Sequence, residues 1–372
     1  MQDKAKILFI VDHLQGGGAE KILLDVAINF KKLGHDVTIM PLNPHDIKMH
    51  IPENINFLQR HFDKTAYSGK LLRKRNLLKS DIEIINQIIF ETQPDLIILS
   101  HAFAFCISNY IKGNIWLWMH GEIFKSSRAK TTNPFRWYKE YRRYYLEKKY
   151  FIKLFNEKNI ITVNQDLEKN YKNLLPDAKI LTIYNGIDAT SIDQKKLLKY
   201  QKVWDCIFVG RLTNEKQAEH TIKAFAKSKK AKSLLIVGDG ALKQTLQELC
   251  KQLNIENRVE FIGWAENPYP YIQQSKLLIL SSASEGYGLV ISEALYLDVP
   301  VVAYNVSEAI SHQLTIANLQ NNLVTPQDID ELAAKIDQNL SQEYLPNFGK
   351  KLLTNEQMVE SFLKLINKDN NF

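Results

Sequence analysis

Residues 281–303 read SSASEGYGLVISEALYLDVPVVA, and no other stretch says as much about the chain. The apolar run Leu277–Leu280 precedes this stretch, and a helix-like run follows its two glycines. A strand that ends in a glycine loop and leads into a helix presents backbone N–H groups and a positive dipole end to an anion. Two carboxylates, Glu285 and Glu293, flank this loop, and beside an anion site we interpret them as partners of hydroxyl groups. Phosphate and hydroxyl groups together indicate a sugar nucleotide.

The same strand, loop and helix pattern occurs throughout both halves of the chain. Short apolar runs alternate with helical patterns, and glycine loops join them, which predicts α/β folding with two doubly wound halves. In such sheets ligands bind at the carboxyl ends of the strands, so we expect a cleft between the two halves. The predicted strands are 6–11, 37–40, 95–100, 115–119, 159–164 and 180–184, then 204–209, 233–237, 259–262, 277–280 and 299–303.

The length of 372 residues predicts two domains. We place an N-terminal Rossmann-like domain at 1–190 and a C-terminal one at 200–350. Residues 185–188 read as a turn, and the lysine-rich stretch after them reads as a linker.

Composition indicates a globular protein of the cytoplasm. Apolar residues make up 45% and charged residues 24% of the chain, and the three cysteines are scattered without metal-ligand spacing. The apolar run near the N-terminus is too short for a secretory signal. The best membrane-span candidate, Leu96–Ile111, is interrupted by polar residues. We therefore expect no membrane crossing, no metal and no resident cofactor.

Positive charge is concentrated in the first half of the chain. Residues 1–190 hold 28 Lys and Arg against 20 Asp and Glu, and Lys125–Lys153 is the densest basic stretch, interleaved with aromatic residues. Basic and aromatic residues together suit an anionic membrane surface. Nucleic acid is a second interpretation, and a solvated helix that packs its aromatic residues on the core is a third. We expect peripheral contact with the inner face of the cytoplasmic membrane and no nucleic-acid partner.

Several further residues could carry chemistry. Gly16–Gly18 follow the first strand but lack the third glycine of a dinucleotide fingerprint, which leaves an anion site or a plain turn. Arg211 and Lys216 follow a strand in the second half and could both reach one pyrophosphate. His120, like His13, ends a strand and could face the cleft or be structural. The Asp-x-Asp at 328–330 reads as a helix N-cap and not as a metal site.

With these residues in hand, the chain resembles the family 4 retaining glycosyltransferases of the GT-B fold over almost its whole length. The most specific part of the resemblance is the Glu-x7-Glu motif from Glu285 to Glu293. The supporting pieces keep the family's order and spacing: GGAE at 17–20, HG at 120–121, NGID at 185–188, GR at 210–211, EK at 215–216, VGDG at 237–240 and FIG at 261–263.

The resemblance implies that the domain at 1–190 binds the acceptor, that the domain at 200–350 binds the nucleotide sugar, and that a final helix within 351–372 packs back on the N-terminal domain. It also implies a role for each candidate residue. Glu293 would bind the ribose hydroxyls of the nucleotide, and Glu285 would bind the hydroxyls of the donor sugar. Arg211 and Lys216 would neutralise the departing diphosphate, Gly17 would approach the phosphate, and His120 would contact the donor sugar. Backbone near Phe261 and Ile262 would hold the base, and N–H groups of Gly286, Tyr287, Gly288, Leu289 and Val290 would line the sugar and phosphate. The family needs no metal, and retention would proceed on one face of the sugar.

Three positions depart from the family pattern. Asp298 stands where a glycine usually ends the helix, Asn322 replaces a common glycine, and the loop after Ala303 lacks its usual glycines. None of these changes touches Glu285, Glu293, Arg211 or Lys216. They concern the local backbone near the donor, and we do not take them as signs of an inactive protein.

The function that follows is transfer of a sugar from a nucleotide donor, UDP-hexose or UDP-N-acetylhexosamine, to a surface glycan. A lipid-linked or lipopolysaccharide acceptor fits the basic and aromatic N-terminal half, and the loops at 43–80 and 121–140 are expected to bind it. Two alternatives stay open: a GT-B relative that hydrolyses or epimerises a nucleotide sugar, and a non-catalytic module that binds glycan or nucleic acid.

Overall fold

The protein folds as two compact units in a computed structural model. One unit comprises Met1–Asn185 and Asn355–Phe372, and the other comprises Gly186–Thr354. The structure describes residues 4–43, 47–60, 62, 77–101, 103–124, 134–344 and 347–366. Residues 44–46, 61 and 63–76 of the predicted acceptor loop at 43–80, residues 125–133 of that at 121–140, and with them Lys125, Arg128 and Lys130 of the basic stretch, therefore lie outside the described residues.

The first unit is built on a parallel sheet of seven strands in the order β3-β2-β1-β4-β5-β6-β7. Strands β1 and β4 are central, and their near-continuous apolar runs are buried because helices cover both faces of such a sheet. The strands are β1 Lys6–Val11, β2 Asp36–Pro41, β3 Asn56–Phe57, β4 Leu96–Ser100, β5 Ile115–Met119, β6 Asn159–Thr162 and β7 Lys179–Thr182. The helices are α1 Gly18–Lys32, α2 Lys79–Thr92, α3 Pro134–Phe155 and α4 Gln165–Leu174.

The second unit repeats this plan with six parallel strands in the order β10-β9-β8-β11-β12-β13. Apolar side chains cover both faces of this sheet in two separate clusters. Its strands are β8 Trp204–Val209, β9 Leu234–Val237, β10 Val259–Gly263, β11 Ser275–Leu280, β12 Val301–Tyr304 and β13 Leu323–Val324. Its helices are α5 Ala189–Lys195, α6 Ala218–Lys227, α7 Lys243–Gln252, α8 Tyr269–Gln273, α9 Leu289–Tyr296, α10 Glu308–Ile316 and α11 Ile329–Leu340. Two parallel, doubly wound α/β sheets confirm the predicted fold class.

The last helix, α12 (Asn355–Leu363), packs within the first unit. Its Phe362 ring is buried and lies 6.3 Å from the ring of Phe30 on α1 and 5.1 Å from that of Trp118 on β5. The Asn114 side-chain amide also donates to the Leu365 carbonyl at 2.9 Å. Aromatic burial of this kind holds the end of the chain on the N-terminal sheet. None of the described helices is both long and apolar enough to span a bilayer.

The predicted turn at 185–188 was wrong, and the linker predicted after it was wrong at its start, although residues 196–203 form neither helix nor strand. The Ile187 N–H donates to the Leu353 carbonyl at 2.9 Å, so the backbone is paired here and does not turn. The Asp188 carboxylate accepts from the Ser191 N–H at 2.9 Å and caps α5, which occupies the start of the supposed linker. Ile192 anchors this helix because its side chain is buried in the core.

Asp298 occupies a position whose backbone conformation favours glycine. Its φ is +56°, in the left-handed region that most side chains avoid. One carboxylate oxygen accepts from the N–H groups of Asn347 at 2.7 Å and Phe348 at 3.2 Å. Asn322, the second departure, donates to the Val301 carbonyl on β12 at 3.1 Å and pairs with Asn339. Both departures thus place a side chain in a role that no glycine can fill.

We predict that Asp298→Ala lowers the free energy of unfolding by about 2 kcal/mol. Alanine adopts the left-handed backbone at a higher energy than aspartate does, and it has no oxygen that could accept from the two N–H groups. Asp298→Asn is the matched control, because asparagine tolerates the backbone and keeps an acceptor oxygen. Urea unfolding followed by circular dichroism measures both, and an alanine variant as stable as the asparagine variant would contradict the assignment.

Candidate functional site

The site in the second unit lies where the order of its strands reverses. Strands β8 and β11 are neighbours in the sheet, and helices leave them on opposite sides. The loops at the carboxyl ends of two such strands separate and leave a crevice, which is where open α/β sheets bind ligands. The loop after β8 carries Arg211 and Lys216, and the loop after β11 carries Glu285.

Lys216 and Glu285 meet directly at this point, although they are 69 residues apart. The Lys216 Nζ lies 2.6 Å from Glu285 Oε1, and the Ser282 hydroxyl donates to the same oxygen at 2.7 Å. The Lys216 side chain is 19% exposed and that of Glu285 is 9% exposed. An ammonium has three donors and a carboxylate two acceptor oxygens, so both groups can bind a ligand while they hold each other.

Three long-range bonds fix the two loops against each other. The Ala283 N–H donates to the Glu215 carbonyl, the Ser281 hydroxyl donates to the Gln217 carbonyl, and the Ser281 and Thr221 hydroxyls pair, each at 2.8 Å. The sequence motifs do not identify Ser281 or Thr221, because a lone hydroxyl in a strand or helix carries no pattern. Their bonds set the positions of Lys216 and Glu285.

The glycine loop leads into α9 with the geometry that the sequence predicts. Gly288 precedes the helix with φ of +79°, and no side chain of the described residues caps this end. The buried Gln313 amide donates to the Tyr287 carbonyl at 2.6 Å and accepts from the Ser292 hydroxyl at 2.5 Å, which holds the loop from behind. The loop also buries Tyr287, and this burial raises the pKa of its hydroxyl. Gly286, Leu289 and Val290 are partly exposed beside it.

Glu293, the second carboxylate of the motif, lies on α9 and is largely buried. The Tyr269 hydroxyl lies 3.4 Å from Glu293 Oε1, a long hydrogen bond. Tyr269 comes from α8, and no sequence pattern pairs it with this carboxylate. The helix therefore presents Glu293 from a fixed position beyond the glycine loop.

The remaining candidates of this unit are not part of the Lys216–Glu285 contact. Arg211 is 65% exposed, and its Nη2 lies 3.9 Å from Glu215 Oε2. Phe261 and Ile262 on β10 point to opposite faces of the sheet and pack against its two apolar clusters. A base at this edge would therefore meet mainly backbone. That edge is tightly packed, since a side chain on Gly238 would overlap the Gly210 carbonyl.

The first unit carries its own polar cluster at the corresponding reversal, between β1 and β4. Gly17 precedes α1, and a side chain there would overlap the carboxylate of Glu20, which folds back over the glycine. Glu20 Oε1 lies 3.2 Å from His13 Nδ1 and 3.8 Å from His101 Nε2. The sequence motif identifies Gly17, but the structural reason for a glycine is the Glu20 side chain.

Three histidine rings stack in a row beside Glu20. The ring centroids of His13 and His101 are 5.5 Å apart, and those of His101 and His120 are 5.6 Å apart. His120 also packs on Trp118, with 4.4 Å between centroids. None of the sequence motifs identifies His101. The available signal was that these histidines follow β1, β4 and β5, which are neighbours in the sheet.

Burial and the Glu20 carboxylate determine which groups of this row are ionised. Burial opposes ionisation of Glu20, but the neighbouring His13 and His101 and a backbone N–H outweigh it and lower its pKa to about 2. Burial lowers the pKa of His101 to about 4, although Glu20 partly offsets this. Burial also lowers the pKa of His120 well below its usual value. At neutral pH the row therefore holds an ionised carboxylate with neutral His101 and His120.

The backbone of His101 is itself unusual, with φ of +74°. A residue other than glycine in this region costs on the order of 1–3 kcal/mol, and such strain persists mainly where the surroundings impose it.

Within the described residues, no group of His, Cys, Asp and Glu side chains has an arrangement that could hold a metal ion.

Comparison with solved structures gives the class of protein. A glycosyltransferase from Rickettsia africae ESF-5 aligns with a TM-score of 0.73 at 19% identity, covering 98% of both chains. Anabaena Alr3699/HepE in complex with UDP aligns with a TM-score of 0.66 at 19% identity, covering 96% of this chain and 94% of that one. The two doubly wound sheets are those of the GT-B fold.

Comparison with sequences gives the family. A model described as Glycosyltransferase Family 4 matches residues 16–191, and one described as Glycosyl transferases group 1 matches 190–355. The O-antigen biosynthesis glycosyltransferase WclY of Escherichia coli is 30% identical, over 97% of this chain and 98% of its own length. The chain belongs to the family 4 glycosyltransferases.

Two further relatives are informative. The N-acetylgalactosamine-N,N'-diacetylbacillosaminyl-diphospho-undecaprenol 4-alpha-N-acetylgalactosaminyltransferase of Campylobacter jejuni is 27% identical, over 80% of both chains. An uncharacterized glycosyltransferase of Methanocaldococcus jannaschii, MJ1059, is 32% identical over 63% of this chain, and the match spans 61% of that protein. Relatives of this chain thus include enzymes that build surface and lipid-linked glycans.

The histidine row predicts that the protein loses stability in mild acid. Unfolded His101 takes up a proton near pH 6.5 and the folded residue only near pH 4, so acid favours the unfolded state across this window. The loss from His101 alone is on the order of 3 kcal/mol. Glu20 adds a second loss as the pH falls from 4.5 towards 2.

His101→Asn removes this titration and tolerates the left-handed backbone. We expect the urea midpoint of this variant to fall less steeply than that of the wild type between pH 6.5 and 4. Some slope remains, because burial also lowers the pKa of His120. His50→Asn, at an exposed position, is the control and should match the wild type. Equal slopes for His101→Asn and wild type would refute the assignment.

Proposed function

We propose that this glycosyltransferase is a retaining, metal-independent enzyme that moves a hexose or N-acetylhexosamine from a UDP donor to a lipid-linked or lipopolysaccharide-type glycan. The observation that carries the proposal is the Lys216–Glu285 pair at the strand reversal of the second unit. One group suits a phosphate and the other suits sugar hydroxyls, and a nucleotide sugar offers both within a few ångströms.

In the proposed reaction, negative charge grows on the diphosphate as it leaves the sugar. Lys216 and Arg211 stabilise this charge, and backbone N–H groups from Gly286 to Val290 add donors at the start of α9. Glu285 accepts hydrogen bonds from the hydroxyls of the sugar and keeps it in place while the bond to phosphate breaks. Because these groups are fixed before the donor arrives, little reorganisation is needed in the transition state.

The remaining contacts complete the donor site. Glu293 accepts from the ribose hydroxyls, backbone at Phe261 and Ile262 holds the uracil, Gly17 approaches the phosphate, and His120 contacts the sugar. The acceptor hydroxyl attacks from the face that the diphosphate leaves, and the leaving phosphate takes its proton, which retains the configuration.

The choice of UDP is supported by the fold neighbour that binds UDP. The choice of acceptor is supported by the relatives named for O-antigen and diphospho-undecaprenol substrates.

The outer face of α3 supports contact with an anionic membrane. Phe135 is 88% exposed, and Tyr138, Tyr145 and Leu146 are exposed along the same helix. Phe151 and Phe155, near its end, are buried and attach it to the first unit. A helix that exposes aromatic side chains among Lys and Arg residues binds at the interface of an anionic bilayer. Placement at the inner face of the cytoplasmic membrane follows as part of the proposal.

Substitutions of the two carboxylates of the motif should affect different steps: Glu285 the transfer of the sugar, and Glu293 the binding of UDP. We expect Glu285→Ala and Glu285→Gln to lower transfer by about 100-fold or more while the Kd for UDP changes by less than about 3-fold, because UDP lacks the sugar. Glu293→Ala should weaken UDP binding by about 10- to 100-fold, since it removes a charged acceptor. Calorimetric titration with UDP and product analysis with and without acceptor measure these effects.

Glu256→Ala, at an exposed position of the same unit, is the control and should change neither quantity. Full transfer activity of both Glu285 variants would overturn the proposed donor site. Rapid hydrolysis or epimerisation of a UDP-sugar without acceptor would instead establish a hydrolase or an epimerase.

Membrane contact is tested by replacing the exposed aromatics of α3. We expect Phe135→Ser combined with Tyr138→Ser to weaken binding to phosphatidylglycerol–phosphatidylethanolamine vesicles by about 10-fold, because both side chains would otherwise enter the interface. Phe90→Ser is the matched control: Phe90 is 78% exposed in the same unit but lies on α2. Vesicle co-sedimentation measures the affinity, and an equal loss for the control would contradict a specific role for α3.

A further inference from the structure

The side chains of the first unit form a row that leads from Glu20 to His120. Glu20 Oε1 lies 3.8 Å from His101 Nε2, and His101 Nδ1 lies 3.4 Å from the Ser100 hydroxyl. The Ser100 hydroxyl lies 2.9 Å from His120 Nε2. The other ring nitrogen of His120, Nδ1, is buried and makes no hydrogen bond to any described residue.

We propose that Glu20 fixes the tautomer of His120 through His101 and Ser100, so that Nδ1 of His120 is a bare acceptor for a hydroxyl of the sugar. Glu20, His101 and Ser100 are then positioning residues for the reaction. The part that concerns the sugar rests on the proposed function, whereas the part that concerns the tautomer does not.

The direction of each bond follows from the carboxylate. An ionised carboxylate can only accept, so the nitrogen of His101 that faces Glu20, Nε2, carries the hydrogen. The Nδ1 of a neutral His101 is then an acceptor, and the Ser100 hydroxyl donates to it. The Ser100 oxygen in turn accepts from His120 Nε2–H, which leaves Nδ1 of His120 without hydrogen.

The reverse direction is electrostatically worse. It would place hydrogen on Nδ1 of His101, donating to the hydroxyl and the backbone carbonyl of Ser100, and a bare Nε2 would face the carboxylate. The Ser100 carbonyl favours this arrangement, whereas the charge of Glu20 opposes it. A lone pair against a negative charge in a buried site is repulsive and is weakly screened there. The distance of 3.8 Å is too long for a hydrogen bond, but the field of the carboxylate still decides between the two tautomers.

Glu20 is the carboxylate that this row faces. His13 lies on its other side at 3.2 Å and is the outer ring of the stack. The neighbouring Asp12 accepts from the N–H groups of Phe103 and Ala104 at 2.8 and 2.7 Å, so its oxygens are directed to the backbone. His101 has a left-handed backbone, with φ of +74°, and its ring lies between those of His13 and His120.

The tautomer is measured by long-range 15N–1H NMR on the whole chain labelled at its histidines, with His120→Gln to assign the signals. In the wild type at pH 7.5 we expect Nδ1 of His120 to have the shift of a bare nitrogen and Nε2 that of a protonated one. Glu20→Gln should move both shifts toward their average, because an amide can donate or accept. Glu168→Gln is the control, since that partly buried carboxylate binds Lys172 and Thr182.

A hydrogen on Nδ1 of His120 in the wild type would overturn the inference. Shifts unchanged by Glu20→Gln, or changed equally by the control, would also overturn it. Thermal unfolding of each variant shows that the shifts come from a folded protein. Because this NMR measurement needs no substrate, its outcome does not depend on whether the proposed function is correct.

The consequence for the reaction is measured with UDP-sugar hydrolysis. We expect Ser100→Ala and Glu20→Gln to lower kcat by about 3- to 10-fold, with the Kd for UDP unchanged, because one hydrogen bond to the sugar loses its fixed acceptor. Ser100→Thr keeps the hydroxyl and should restore most of kcat. Equal kcat for Ser100→Ala and wild type would show that His120 does not act on the sugar through this row.

Discussion

The ion pair between Lys216 and Glu285 joins two loops that leave neighbouring strands in opposite directions. The crevice between such loops exists only because the strand order reverses there. The Ser281 hydroxyl and the Ala283 N–H donate to backbone carbonyls of the other loop, and the Ser282 hydroxyl holds Glu285 within its own loop. The geometry of the proposed donor site therefore depends on the topology of the sheet.

The two units use one architecture for different chemistry. The second unit places full charges at its reversal, an ammonium and two carboxylates, which suit phosphates and hydroxyls. The first unit places neutral imidazoles there and a buried carboxylate that orients them. In the proposed reaction, Lys216 would meet the diphosphate, the two carboxylates would meet hydroxyls of the sugar and the ribose, and the neutral His120 would accept from a sugar hydroxyl.

Much of this organisation could be predicted from the sequence, because strands, glycine loops and the Glu-x7-Glu motif are local patterns. The contacts of Thr221, Gln313 and His101 could not be predicted, because they join residues far apart in sequence and no local pattern indicates them. The supposed linker after residue 188 failed for a similar reason, because one buried residue, Ile192, turns a polar stretch into a helix. The edge strands β3 and β13 have two residues each, too few for any periodicity.

The most direct test of the donor site is a titration of the whole chain with UDP, a panel of UDP-sugars and GDP-mannose, followed by ligand-observed NMR. We predict saturation transfer to the uridine protons and to the sugar protons of at least one UDP-sugar, and displacement of that sugar by UDP. Saturation transfer to none of the UDP-linked compounds would contradict the assignment of Lys216, Glu285 and Glu293 to a UDP-sugar.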